Sequence, residues 1–297
     1  MRVPPFARTL INIHRMITRH PLTRGRVLSA YARFLRWQMI SRFARAGIIV
    51  PFVDDTRLVV NTGQTGATAN IYVGLAEFED MSFTLHFLRE GDLFGDIGAN
   101  VGVYTVLAGG VRRARVLAME PVPQTAAALR RNIAINQIEG RVAVEEVGVG
   151  ERRGVLTFST NLDAMNHVVA DGEGVSVTVM PLDEIFVDQT PIMLKIDVEG
   201  FETNVLNGGG RVLASPELKV VIVELNGMGA QYGFDDAAID ARMRGAGFKS
   251  YLYDPWSRKL TNTDRHATGN TLYIRDYAFA AARLEAAAPF HVLGSRI

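Results

Sequence analysis

The chain has 297 residues, 48% of them apolar and 21% charged, which suits one large α/β domain with an extension, or two small domains. It holds no cysteine; that excludes disulfides, thiolate zinc sites and a cysteine nucleophile, and it accords with a cytoplasmic protein. The net charge of +1 hides an asymmetry: no Asp or Glu precedes Asp54, while arginines run from Arg2 to Arg45, so a basic arm precedes an acidic body.

No apolar run approaches the length that spans a bilayer. Arg2, Arg8, Arg15, Arg19, Arg24 and Arg26 interrupt any stretch that would form the core of a signal peptide.

In chain order, residues 1–47 read as helical, with Leu10, Ile13 and Ile17, then Leu28, Tyr31, Leu35 and Met39, recurring at helical steps, and Pro21 dividing two helices. One reading is an arm for a membrane surface or an acidic partner. The simpler one, favoured here, is a pair of helices packed on the main domain with their arginines in water. Residues 48–73 predict short β segments around Asn61-Thr62-Gly63 and Gly66, and 77–90 a helix.

From there strands and helices alternate. The expected strands are Leu93–Asp96, Val116–Glu120, Val142–Val147, Ile192–Asp197, Val220–Leu225, Phe248–Tyr253 and Thr271–Ile274. Gly154–Ser159 and Val175–Met180 read as further β segments. The expected helices start near Val101 and cover Thr125–Asn136, Glu202–Leu206 and Asp235–Ala246. Alternation implies a mostly parallel sheet covered on both faces. The polar stretch 254–270 predicts a hairpin-like return, which makes the last strand antiparallel. Ligands of such sheets sit beyond the carboxyl ends of the strands, which gathers Asp96, Glu120, Glu145 or Glu146, Asp197 and Glu224 at one rim.

The strongest local signal is Asp96-Ile97-Gly98-Ala99-Asn100-Val101-Gly102 at a strand-to-helix turn. Gly98 permits a sharp bend and a close ligand, and Gly102 tight packing of the helix on the sheet. A dinucleotide site would put a pyrophosphate at this helix start, where Asp96 would repel it. S-adenosylmethionine carries an ammonium and a sulfonium instead, and suits the acid. Glu120 ends the next strand and can accept hydrogen bonds from ribose hydroxyls, which supports a nucleoside without choosing one.

Asp96–Gly102 resembles the first motif of class I methyltransferases, and Leu194-Lys195-Ile196-Asp197-Val198-Glu199-Gly200-Phe201-Glu202 resembles the signature of the FkbM-type family. Tyr72–Glu77, Val175–Ile185, Val223-Glu224 and Asn270-Thr271-Leu272 fit the same pattern; Gly148 departs from it, standing where an alanine is expected. The resemblance covers about residues 70–276. It implies a Rossmann-like class I methyltransferase: an α/β fold with a seven-stranded mostly parallel sheet, an antiparallel last strand and an N-terminal helical extension. The expected division is 1–50 basic extension, 51–276 methyltransferase domain and 277–297 tail. By the resemblance, Asp96, Gly98, Asn100 and Glu120 bind S-adenosylmethionine, with Glu77 against the methionine moiety and Asp197 facing the reacting methyl. The implied reaction is O-methylation of a hydroxyl on a small molecule, sugar or polyketide-like acceptor.

Such a transfer needs acceptor, methyl and sulfur in line, and a group to take the alcohol proton. Asp197, Glu199 and His167 are the candidates; Glu199 and Glu202 also suit the first turn of the following helix. Asp197 and Glu224 offer oxygens, but without a histidine–carboxylate cluster at ligand spacing no metal is expected. A nicotinamide-dependent oxidoreductase and a non-catalytic nucleoside-binding scaffold are the competing readings. Nucleic acid ranks low as a partner, because the body is acidic and lacks interleaved basic and aromatic residues. A homodimer is compatible with the arm, and deletion of residues 1–47 is expected to spare nucleoside binding while altering acceptor use.

Overall fold

The computed structural model describes residues 5–44, 47–158, 168–169, 174–264 and 269–297. Helices α1 (Pro5–Arg19) and α2 (Val27–Ile40) lead to a hairpin of β1 (Ile48–Pro51) and β2 (Arg57–Val60), then to α3 (Thr65–Val73) and α4 (Phe78–Phe87). The main alternation begins with β3 (Leu93–Ile97), α5 (Val103–Thr105) running into a π-helical segment, β4 (Arg115–Met119), α6 (Pro123–Ile135) and β5 (Val142–Glu145). An inserted sheet follows, of β6 (Gly148–Gly150), β7 (Gly154–Phe158), β8 (Val168–Val169) and β9 (Val175–Pro181). The chain returns through α7 (Leu182–Ile185), β10 (Met193–Ile196), α8 (Glu202–Asn207), α9 (Gly210–Ala214), β11 (Val220–Leu225) and α10 (Asp236–Gly245). It ends with β12 (Lys249–Asp254), β13 (Lys259–Thr263), β14 (Gly269–Ile274), α11 (Tyr277–Glu285) and a small hairpin of β15 (His291–Val292) and β16 (Ser295–Arg296).

The central sheet has the order β13-β12-β14-β11-β10-β3-β4-β5. The strands from β11 to β5 are parallel, and β14 runs antiparallel between β11 and β12. The Rossmann-like α/β expectation holds, with one strand more than the seven expected. Lys259–Thr263, read as loop, pairs with the outer edge of β12. Its alternating polar residues carry the weak signal of an edge strand with one wet face. The central strands β10 and β11 are buried almost throughout, as near-continuous apolar runs require. Pro123 opens α6, where a missing N–H costs nothing, and the Asp235 carboxylate caps α10 by accepting from the Ala237 amide.

Three local expectations change. Residues 65–73 form a helix, although 48–73 read as short β segments around Asn61-Thr62-Gly63 and Gly66. Gly102 packs on another helix rather than on the sheet: a Cβ there would lie 2.3 Å from Leu129 Cδ1 of α6. In the arm, Leu28, Leu35 and Met39 face solvent, and the inward face of α2 is Ala30 and Trp37. Ile17, Leu22 and Trp37 join the main core, each worth about 1.5–3 kcal/mol of burial. His20 bonds the Leu75 carbonyl at 2.6 Å and Arg33 the Tyr72 carbonyl at 2.6 Å. Deleting residues 1–47 therefore removes core, not a detachable appendage. Among the described residues, no helix is long and apolar enough to cross a membrane.

Candidate active site

Strand order reverses beside β3, whose neighbours β4 and β10 lie on opposite sides of it. The crevice at such a switch point receives the loop after β3. Gly98 has φ +78°, and a Cβ on it would stand 1.8 Å from the Asp197 carbonyl oxygen. The turn is thus glycine because the end of β10 closes on it. The amides of Gly98 and Ala99 both donate to the Met119 carbonyl, at 3.0 and 2.9 Å, and tie the loop to β4. Asn100 takes the left-handed conformation (φ 51°), which asparagine tolerates better than most residues. Its amide donates to Glu120 Oε2 at 3.0 Å, while the Val122 amide donates to Oε1 at 2.9 Å.

Glu120 is therefore fixed by two amides and keeps lone pairs for a ligand. Burial pushes its carboxyl up to about 7 against the pull of those amides. Asp96 is almost completely buried and accepts the Thr105 hydroxyl at 2.6 Å. Burial raises it to about 6, with the Thr105 bond and the nearby Lys195 opposing.

A second group gathers across the crevice. Lys195 Nζ donates to Asp197 Oδ2 at 2.9 Å and lies 5.4 Å from the centre of the Tyr104 ring. Burial alone would depress this ammonium; Asp197, Glu77 and Glu224 outweigh it and hold Lys195 above the usual lysine range. Burial likewise opposes ionisation of Asp197, but the Lys195 charge and hydrogen bonds from Glu224 and Lys195 keep it below the usual carboxylate range. Glu224 is pushed up to about 9 by burial and by Asp197, so it holds a proton at neutrality and donates it to Asp197. Glu199 is raised to about 7 by burial, then by Asp197 and Glu202. Its backbone is left-handed at φ 53°. Oxygens of Asp197, Glu199 and Glu224 come within 4.8 Å of one another, and the Lys195 ammonium is the cation this cluster already holds.

Glu77 completes the wall. Its Oε2 accepts the Tyr104 hydroxyl at 2.5 Å and the Asn270 amide at 2.8 Å. The resulting cleft has a volume of about 260 Å³. Among the described residues it is lined by six carboxyl groups, Glu77, Asp96, Glu120, Asp197, Glu199 and Glu224, against the single ammonium of Lys195.

Every expected cofactor residue, Glu77, Asp96, Gly98, Asn100 and Glu120, lines this cleft, as do Asp197 and Glu199. His167 lies outside the described residues. Glu145 and Glu146 are exposed and do not line the cleft; Glu146 pairs with Arg130 instead. Glu202 is structural: its Oε1 accepts the amides of Val198 and Gly200, at 3.2 and 3.1 Å, and closes the turn that carries Glu199. Sequence reasoning gave no role to Lys195 or Tyr104. For Lys195 a signal was present, a lone charge inside the apolar run Met193–Ile196, which burial tolerates only when paired.

Residues 96–250 match the methyltransferase FkbM domain. Hexuronic acid methyltransferase AglP of Haloferax volcanii is 30% identical over 143 residues, which cover 46% of this chain and 57% of that protein. The chain thus spans little more than half the length of this relative. The 31-O-demethyl-FK506 methyltransferase FkbM of Streptomyces tacrolimicus is 28% identical over 233 residues, covering 62% of this chain and 86% of that protein. Among solved structures, a methyltransferase from Pyrococcus furiosus aligns with a TM-score of 0.40 at 14% identity, covering 83% of this chain and 98% of that one.

Proposed function

The chain belongs to the FkbM methyltransferase family, and on that premise we propose that it moves the methyl group of S-adenosylmethionine to a hydroxyl oxygen of a small-molecule acceptor. The observation that carries this reading is the acidity of the cleft, where among the described residues six carboxyl groups, with only Glu224 protonated well above neutrality, face one ammonium. A cationic nucleoside is attracted there. A pyrophosphate at the start of the helix would be repelled by Asp96, which disfavours the nicotinamide reading. When bound, S-adenosylmethionine supplies an electrophilic methyl and a neutral thioether leaving group.

The protein's part is to hold and to take a proton. Glu120, anchored by the Asn100 and Val122 amides, presents its remaining lone pairs to the ribose hydroxyls. Asp96, Glu77 and Asp197 supply negative potential for the cofactor's cations. Among the carboxylates of the acceptor side, Glu199 has the pKa best matched to a general base near neutrality, at about 7. Asp197, held ionised by Lys195, is the weaker base and the better electrostatic anchor.

The names of the two relatives point to a hexuronic acid and to an oxygen of a demethylated FK506. An anionic acceptor would face the ionised Asp197 and, above about pH 7, Glu199 as well, so a neutral hydroxyl fits this cleft better than a carboxylate. Calorimetric titration with S-adenosylhomocysteine and, separately, with NAD tests the reading. Binding of the thioether nucleoside, weakened at least tenfold in Asp96→Ala and Glu120→Ala, is the expected result, the loss of one charged hydrogen bond being worth about 1.5–3 kcal/mol. Binding of NAD alone would overturn it.

A further inference from the structure

Helix α2 carries two apolar stripes. The inward one holds Ala30 and Trp37, both buried. The outward one is Leu28, Ala32, Leu35 and Met39, at helical steps of four, three and four, continued by Phe43. Leu28 is 85% exposed, Leu35 57%, Met39 63% and Phe43 86%. Beside it runs an apolar groove of about 250 Å³, lined by Arg36, Ile40, Ile48, Ile49 and Phe52 among others. Ile49 on its rim is 57% exposed. The stripe and the groove are two exposed apolar features of one helix, and such surfaces mark interaction sites.

Charge identifies the partner. Arg15 and Arg19 of α1, Arg24 in the turn between the helices, Arg36 of α2 and Arg42 just after it are all exposed, and no acid precedes Asp54 in sequence to offset them. Arg33 and Arg26 are turned to backbone carbonyls of Tyr72 and Leu293 and belong to the fold. Exposed leucine, methionine and phenylalanine interspersed with uncompensated arginines fit an anionic lipid surface, where the apolar side chains enter the acyl boundary and the guanidinium groups meet phosphates. A protein partner would call for opposite charges or a dry apolar interface, and the arginines do not suit self-association of like faces.

We propose that α2, with Phe43 and the rim of the β1 groove, docks the protein peripherally on an anionic phospholipid bilayer. Asn70 of α3 lines both this groove and the carboxylate cleft, so α3 is a wall shared by the docking surface and the site.

The test is co-sedimentation of the full chain with phosphatidylcholine vesicles, with and without about one third phosphatidylglycerol. The expected result is sedimentation with the anionic vesicles only. Arg36→Gln with Arg42→Gln should weaken partitioning roughly twenty-five-fold, at about a factor of five per basic residue. Leu35→Glu with Met39→Glu should abolish it. Both double variants alter exposed side chains, so binding of S-adenosylhomocysteine and the unfolding temperature should stay as in the parent. Failure of the parent to sediment with anionic vesicles while it binds S-adenosylhomocysteine overturns the proposal. So does a dimer, seen by sedimentation velocity, that Leu35→Glu with Met39→Glu dissociates, since the face would then belong to a second copy.

Discussion

Lys195 Nζ lies 2.9 Å from Asp197 Oδ2, with the lysine side chain 2% and the aspartate side chain 31% exposed. Residues two apart along a strand point to the same side, so the backbone of β10 and its first following residues sets this pair. Removing one partner of a buried pair typically costs about 3–5 kcal/mol. Asp197 keeps some access to water, which places the effect at the low end. Lys195→Met should therefore lose about 3 kcal/mol of unfolding free energy in urea titration. Adding Asp197→Asn should restore part of it. A double variant no more stable than Lys195→Met would mean that Lys195 answers mainly to Glu77 and Glu224.

The raised carboxyls of Asp96, at about 6, and Glu120, at about 7, give cofactor binding a pH dependence with a definite sign. A carboxyl with a raised pKa is neutral below that value and anionic above it. Binding a cation favours the anion and releases the proton. Affinity for S-adenosylmethionine should therefore rise from about pH 5 to about pH 8. S-adenosylhomocysteine, which lacks the sulfonium charge, should gain less. Calorimetry of both ligands across that range checks the difference, and Asp96→Asn should reduce it. Parallel pH profiles for the two ligands would remove the cleft carboxyls from sulfonium recognition.

Gly98→Ala should break the site. Its Cβ would fall 1.8 Å from a backbone oxygen, which has no rotamer to escape into, and the residue holds φ +78°. The left-handed conformation costs alanine about 1–2 kcal/mol and the overlap about 1–3 more. Loss of about 3 kcal/mol in stability is expected, together with loss of S-adenosylhomocysteine binding because the loop must leave Met119. Gly91→Ala serves as the control: it also has positive φ (+82°), but nothing lies within 4 Å of its Cβ, so it should lose only the conformational part and keep binding.

The alternation of strands and helices was legible because buried parallel strands are continuous apolar runs, and β10 and β11 show it most clearly. The acids at the strand ends were legible for the same reason: once a strand is placed, the residue after it is placed too. What was hidden depended on tertiary distance. Glu77, Tyr104 and Asn270 meet although 27 and 193 residues separate the bonded pairs, and no local pattern records that. Helix α2 was misread because two apolar stripes occupy opposite faces, and periodicity alone does not say which one faces inward. The edge strand β13 was missed because one wet face and polar residues look like loop. His167 falls among residues outside the described part of the chain.

Glu199 offers the sharpest separation of chemistry from structure. Its carboxyl sits at about 7 because burial, Asp197 and Glu202 all oppose its charge, and its backbone is left-handed. With any hydroxyl acceptor that turns over, Glu199→Gln should lower kcat by about 10²–10⁴. Affinity for S-adenosylhomocysteine should change little. The parent's rate should rise with pH through about 7, because the carboxylate and not the acid takes the proton, and the variant should lose that rise. Glu199→Gly distinguishes this from a folding effect. Relief of the left-handed backbone is offset by the chain entropy of glycine, so stability should stay within about 1 kcal/mol while activity falls as in the glutamine variant. A Glu199→Gln enzyme within tenfold of the parent, still rising with pH, would transfer the role of base to another group, with Asp197 the next carboxylate in line.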